Sequence, residues 1–200
     1  MLISPMEILD IGIITVFMGI IFSDIFKVPR IERERYEPLT KDLKYRKHYR
    51  SILGINLNDF KNAAMIIAPA IILHEFGHKF VATAFGLKAV FHAAYLWLGL
   101  GLIMKIMRFG FIIFVPAFVE ITGNASKLQY ALVAVAGPLV NLALWLISSY
   151  ILKKKHVKEK YKIMLLLSAR INMFLFIFNM LPIPPFDGFK FFYNLFTAIF

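Results

Sequence analysis

Apolar residues run along this chain in long blocks, and the breaks between blocks are charged or rich in proline. The first block spans about Leu2–Phe26. A polar, basic stretch follows, Lys27–Lys61, with Pro29 and Pro38. The second block spans about Asn62–Phe85, with Asp59 placed to cap it, Pro69 inside it and Gly86 as a stop signal. The third spans about Leu128–Leu152 and carries Gly137-Pro138 near its middle. After a basic turn, Lys153–Lys162, the fourth runs from Ile163 to about Leu181, where Pro182, Pro184 and Pro185 end it. A helix crosses a bilayer in about 20 apolar residues, so each block predicts one membrane-spanning helix. The first block has no basic start and no clear cleavage site of small residues, and so reads as a retained helix rather than a signal peptide.

The stretch Leu87–Lys127 is apolar but irregular. Gly99, Gly101, Gly110 and Pro116 interrupt it, and Lys105 and Arg108 divide it. Its second half, Phe109–Ile121, is rich in Phe, Ile and Val, as strands are. Short strands or a re-entrant hairpin fit better here than a through-going helix. Such backbone lies at membrane depth only where protein or water satisfies its polar groups. Phe189–Phe200 looks like the start of another helix, too short to span. The expected fold is an all-α polytopic membrane protein. About four transmembrane helices surround a three-helix catalytic core, with a short membrane-associated strand or re-entrant segment. Residues 1–200 form one domain, with its core at about 62–190, and no repeat or separate soluble domain is visible.

Composition supports this reading. The chain is 60% hydrophobic and 18% charged, with a formal net charge of +11 and a mean hydropathy of +0.71. In a soluble protein that charge would suggest nucleic acid. Here the basic residues crowd into loops between apolar blocks, where they set topology and meet anionic lipid, so no nucleic-acid partner is expected. There is no cysteine. Disulfides, thiolate catalysis and Cys-type zinc sites are excluded.

His74-Glu75-Phe76-Gly77-His78 fits H-E-x-x-H. On a helix, residues i and i+4 share a face, so both imidazoles can reach one zinc ion while Glu75 beside them acts as a base. The motif lies inside an apolar span, where ionisable side chains are costly and mostly functional. Lys79, next in sequence, is explained simply by snorkelling. A catalytic zinc needs a third protein ligand. The metzincin pattern would put Gly at 81 and His at 84, and this chain has Val81 and Ala84. Glu120 is available in the Phe/Val-rich segment. Asp187 is the other candidate, where prolines unwind the end of the fourth block and Gly188 permits unusual backbone angles. Either an extended chain end turns Asp187 into the bundle, or it sits in water at a proline-rich terminus. The residues alone do not choose.

Three segments, in this order, resemble the site-2 protease family of intramembrane metalloproteases. His74–His78 is similar to its H-E-x-x-H helix. Ala136-Gly137-Pro138-Leu139-Val140-Asn141 is similar to its A-G-P-x-x-N helix. Asn179–Gly188 is similar to its N-x-x-P-x-P-x-x-D-G segment. The resemblance covers roughly Ile66–Lys190. It implies zinc, one catalytic ion, held by His74, His78 and Asp187, with Glu75 as catalytic base. It also implies that Asn179 holds the substrate backbone or helps the oxyanion, where the residues alone equally allow a helix-end amide satisfying freed carbonyls. Two departures are visible: Phe189 stands where the family often has a second glycine after D-G, and Val115-Pro116-Ala117-Phe118 replaces a Pro-x-Gly-Gly-like turn. Asn141 reads as a structural amide bonding a neighbouring helix, and Gly137 and Pro138 as packing and kink residues.

The remaining charged residues have plain readings. Arg170 snorkels or pairs with Asp10 or Asp24. His48 and His156 are solvated in basic loops, and His92 is at most a minor metal or substrate residue. The implied function is hydrolysis of peptide bonds in a transmembrane protein substrate, by a multi-pass protein of the cell membrane whose other partner is the lipid bilayer. The alternative is a catalytically silent, metal-binding scaffold or chaperone for transmembrane helices. Helix direction is consistent with catalysis, because four spans make the second and fourth parallel and bring His78 and Asp187 to one depth. Orientation is contested. Lys27–Lys61 holds ten Lys or Arg and Lys153–Lys162 six, against four in Leu87–Lys127 and Lys190. The positive-inside rule puts the richer side in the cytoplasm, whereas the resemblance puts the zinc end there. Zinc depth is tied to catalysis, so the second argument takes precedence.

Overall fold

The computed structural model describes residues 3–24, 56–109, 115–154 and 157–200. Its elements are α1 (Pro5–Phe22), α2 (Leu57–Ala84), β1 (Lys88–Ala93), α3 (Tyr95–Ile106), β2 (Ala117–Thr122), α4 (Lys127–Leu152), α5 (Glu159–Asn179) and α6 (Asp187–Ile199). Helices α1, α2, α4 and α5 are each long and apolar enough to cross a membrane. Local sequence explains their ends. Ser4 and Glu7 form a capping box at α1, with Pro5 in the first turn, and Ser126 and Gln129 form another at α4. The cap of α2 is Asn56, not Asp59, so the helix begins earlier than its apolar run. Past its C-terminus, Gly86 adopts φ +77° and the Leu87 N–H reaches back to the Ala82 carbonyl at 3.0 Å, an end that glycine permits at no steric cost.

The irregular stretch resolves into a two-stranded antiparallel sheet, β1 with β2, in which Phe91 lies opposite Val119 and Ala93 opposite Ala117. The strand-rich half does contain β2. Between the strands lies α3, a helix of 12 residues that the pattern did not announce. Gly99 and Gly101 lower helix propensity in water and hid it. The Lys105 ammonium at its end is held by Asp24 at 2.7 Å and by the Ser23 hydroxyl at 2.9 Å.

Helices α2 and α4 run antiparallel, with Ala70 and His74 meeting Asn141 and His78 meeting Val133. Helices α4 and α5 are also antiparallel, through Asn141 with Asn172 and Ser148 with Ser168. The second and fourth spans are therefore parallel, as expected. Between membrane helices there is little hydrophobic driving force, so close approach of small residues and interhelical hydrogen bonds hold them together. Ala63, Ala64, Ala68, Ala70 and Ala82 on α2 and Ala131, Ala134 and Ala136 on α4 are buried. Helix α1 packs on α2 with Gly19 against the Phe60 ring.

One reading of a charged residue is corrected, and one of the two readings of another is removed. Lys79 does not snorkel: it is buried and paired with Glu7 of α1. Arg170 is exposed on α5 and pairs with neither Asp10, which accepts from the Ala93 N–H and the Tyr95 hydroxyl, nor Asp24, which binds Lys105. Both acids lie on the α1 side of the bundle and are already engaged. His48, His156 and most of the Lys27–Lys61 loop used for the orientation argument lie outside the described residues.

A Cβ at Gly77 would stand 2.8 Å from the Ala136 carbonyl oxygen and 2.9 Å from Val140. Since backbone cannot yield locally, Gly77→Ala is expected to force α2 from α4 and cost about 1–3 kcal/mol. Denaturant titration of helicity in mixed micelles measures this, and unchanged stability would contradict the packing described.

Candidate metal centre

Helix α2 presents His74 and His78 one turn apart, with ring centroids 4.8 Å apart and planes at 80°. Asp187 opens α6. The tight turn after α5 that carries it requires Gly188, whose Cβ would lie 2.4 Å from the Met180 backbone. Asp187 thus comes from the first residue of a new helix rather than from an extended end of α5, and it does not sit in water: its side chain is 14% exposed. Its Oδ2 is 3.1 Å from His74 Nε2 and 3.2 Å from His78 Nε2, and the two Nε2 atoms are 3.1 Å apart. Lys190 reaches the other carboxylate oxygen at 3.5 Å.

The outward-facing nitrogens decide the chemistry at the centre. His78 Nδ1 donates to the Val133 carbonyl at 2.7 Å. A carbonyl can only accept, so in the neutral ring Nε2 bears the lone pair. For His74 the assignment runs through two amides. Asn172 donates to the Ser168 carbonyl at 2.8 Å, which turns its own oxygen to Asn141. Asn141 donates to that oxygen at 2.9 Å and to the Ala70 carbonyl at 3.1 Å, leaving its Oδ1 to accept from His74 Nδ1 at 2.6 Å. Both histidines are thereby held in the tautomer that ligates metal through Nε2, a common task of groups behind a metal ligand.

Three acceptor atoms therefore converge on one point. A proton shared between two of them leaves the third unsatisfied, whereas a cation satisfies all three. Tetrahedral ligands at zinc bond lengths of about 2.0–2.2 Å stand roughly 3.3 Å apart, close to the observed triangle. His74, His78 and Asp187 form the metal-capable cluster among the described residues, and a His₂Asp set with no sulfur suits zinc. Gly137 of α4 faces the triangle. A Cβ there would lie 2.3 Å from His78 Nε2 and 2.7 Å from His74 Nε2, so only glycine leaves the cage open.

The other sequence candidates divide. Glu75 is half-buried, next to His74 on α2. Asn179 ends α5 half-buried, and its side chain makes no hydrogen bond among the described residues. Glu120 is not a ligand. It lies 61% exposed on β2, 3.5 Å from His92 across the sheet. Sequence reasoning missed Asn172; it read Gly137 as a packing residue, and the structure adds that it packs on the imidazoles. The signal for Asn172 was present, an amide near the middle of an apolar span.

A protein of Methanocaldococcus jannaschii named "Putative zinc metalloprotease" is similar to this chain, 35% identical over 125 residues, or 62% of this chain. The match spans 65% of that relative's length, just under two thirds. No protein-family profile and no solved structure matches the chain.

Loss of the amide behind His74 is expected to weaken zinc binding by about 10–100-fold in Asn141→Leu, measured by competition with a chelator of known affinity. Gly137→Ala is expected to abolish stoichiometric zinc while helicity persists. Full zinc occupancy in Gly137→Ala would show that the ligands do not meet as described.

Proposed function

We propose that this chain is a zinc-dependent intramembrane endopeptidase of the site-2 protease type, resident as a multi-pass protein in the cell membrane. Its substrates would be transmembrane segments of membrane proteins. The observation that carries this reading is the convergence of His74, His78 and Asp187, with Glu75 beside them, in a bundle with four helices long and apolar enough to cross a bilayer. The name of the relative supports the zinc metalloprotease part. Zinc bound there would supply a water of lowered pKa and a Lewis acid for the scissile carbonyl. Glu75 takes the proton from the attacking water and returns it to the leaving amine. The uncommitted amide of Asn179 donates to the oxygen on which negative charge develops.

A helical substrate hides its amides in its own hydrogen bonds, so it must be drawn out before cleavage. Among the described residues, strand β2 has a strand neighbour on one side only. An extended segment can add to its other edge by backbone pairing, with groups of Ala117, Val119 and Ile121 turned outward.

The test is purified protein in detergent with transmembrane peptides as substrates. About one zinc per chain and measurable cleavage are expected. Glu75→Gln should keep the zinc and lose about 10²–10⁴-fold in turnover. Zinc without turnover on any substrate would favour the silent scaffold or chaperone, and a wild type that binds no zinc would sink both readings.

A further inference from the structure

Helix α1 carries two acids that the chemistry above does not use. Glu7 and Asp10 are 3% and 5% exposed, on a helix whose other polar needs are few. Burying a carboxylate costs several kcal/mol unless it is paired and hydrogen-bonded, so an apolar anchor has no reason to carry them. They lie three residues apart and share a helix face. One oxygen of Glu7 accepts the Phe91 N–H at 2.7 Å and also binds the Lys79 ammonium, while its other oxygen accepts the Ser4 N–H at 2.7 Å. Asp10 accepts the Ala93 N–H at 3.2 Å and the Tyr95 hydroxyl.

Phe91 and Ala93 are alternate residues of β1, so their N–H groups leave the strand on the same edge, away from β2. The two carboxylates stand where a third strand would stand. Lys79 directly follows the ligand His78 on α2, and Phe91, fully buried, packs at 5.6 Å on Phe76, the neighbour of Glu75. One carboxylate thus ties α1, the metal helix and the sheet together.

We propose that Glu7 and Asp10 are positioning residues. They occupy the α1-facing edge of β1, leaving β2 as the edge on which an extended segment can add, and they fix the height of the sheet beside the metal helix. The role in cleavage rests on the protease reading above, while the clamp itself does not.

Two double variants separate the strand clamp from the ion pair. Glu7→Leu with Lys79→Met removes both without leaving a buried charge. Glu7→Gln with Lys79→Met removes the ion pair but keeps an oxygen for the Phe91 N–H, the Ser4 N–H passing to water. Zinc content, hydrogen exchange of β1 amides and cleavage kinetics are measured in micelles on the full chain. In the Leu variant zinc is expected to stay near one per chain, the Phe91 amide to exchange at least about tenfold faster while Ala93, held by Asp10, keeps more of its protection, and kcat/KM to fall about tenfold or more, mainly through KM. The Gln variant is expected to recover protection and kcat/KM to within about threefold of wild type. Unchanged protection of Phe91 in the Leu variant overturns the clamp, whether or not the protein cleaves anything. Lost protection with kcat/KM unchanged overturns the positioning role. A wild type that cleaves nothing counts against the protease reading, and exchange still decides the clamp.

Discussion

Three lone pairs held face to face in an apolar bundle are the constraint on which the structure turns. His74 Nε2, His78 Nε2 and Asp187 Oδ2 lie within about 3 Å of one another, and acceptors at that distance repel unless a cation joins them. Bringing them so close requires α2 and α4 to pack nearly backbone to backbone. That explains glycine at 77 and 137, the two places where a methyl group would strike the facing helix or the imidazoles. Ala70 and Ala136, whose carbonyls meet Asn141 and face Gly77, lie on the same seam.

The second consequence is an unbroken chain of satisfied polar groups. Hydrocarbon gives no hydrogen bonds, so each amide placed to orient a ligand needs a partner of its own. Ser168, Asn172, Asn141 and His74 form such a relay from α5 through α4 to α2. Among the described residues no buried side-chain nitrogen or oxygen lacks a partner. The same rule governs α1, where Glu7 and Asp10 serve the backbone of β1. A short sheet can therefore stand inside the bundle without a third strand, because side-chain oxygens satisfy the edge that faces the helices.

These two networks give the helices different duties. Helices α2, α4 and α6 build the metal cage, α5 braces it through Asn172, and α1 fastens the sheet to the metal helix. The β1 edge of the sheet is satisfied by side-chain oxygens, and among the described residues β2 carries no further strand.

Much of this was written in local pattern. Apolar length announced four spans, because a bilayer demands it of each span separately. The i, i+4 spacing of His74 and His78 placed both on one face, because helix geometry alone does so. Other features could not be read that way. Helix α3 was hidden because glycine propensities measured in water mislead in an apolar setting. Lys79 reads as a snorkelling lysine until α1 brings Glu7 beside it. Arg170 does not pair with Asp10 or Asp24, because both are engaged elsewhere. Whether Asp187 lies in water or on the metal could not be settled from its neighbours in the chain, since its partners are 109 and 113 residues away. The chain's own order of residues determined which groups could bind a metal and which segments could cross a membrane, because those are properties of single helices. Tertiary structure decided which groups meet, which nitrogen of each imidazole is free and what covers each edge of the sheet, because these depend on contacts between helices that no local spacing encodes.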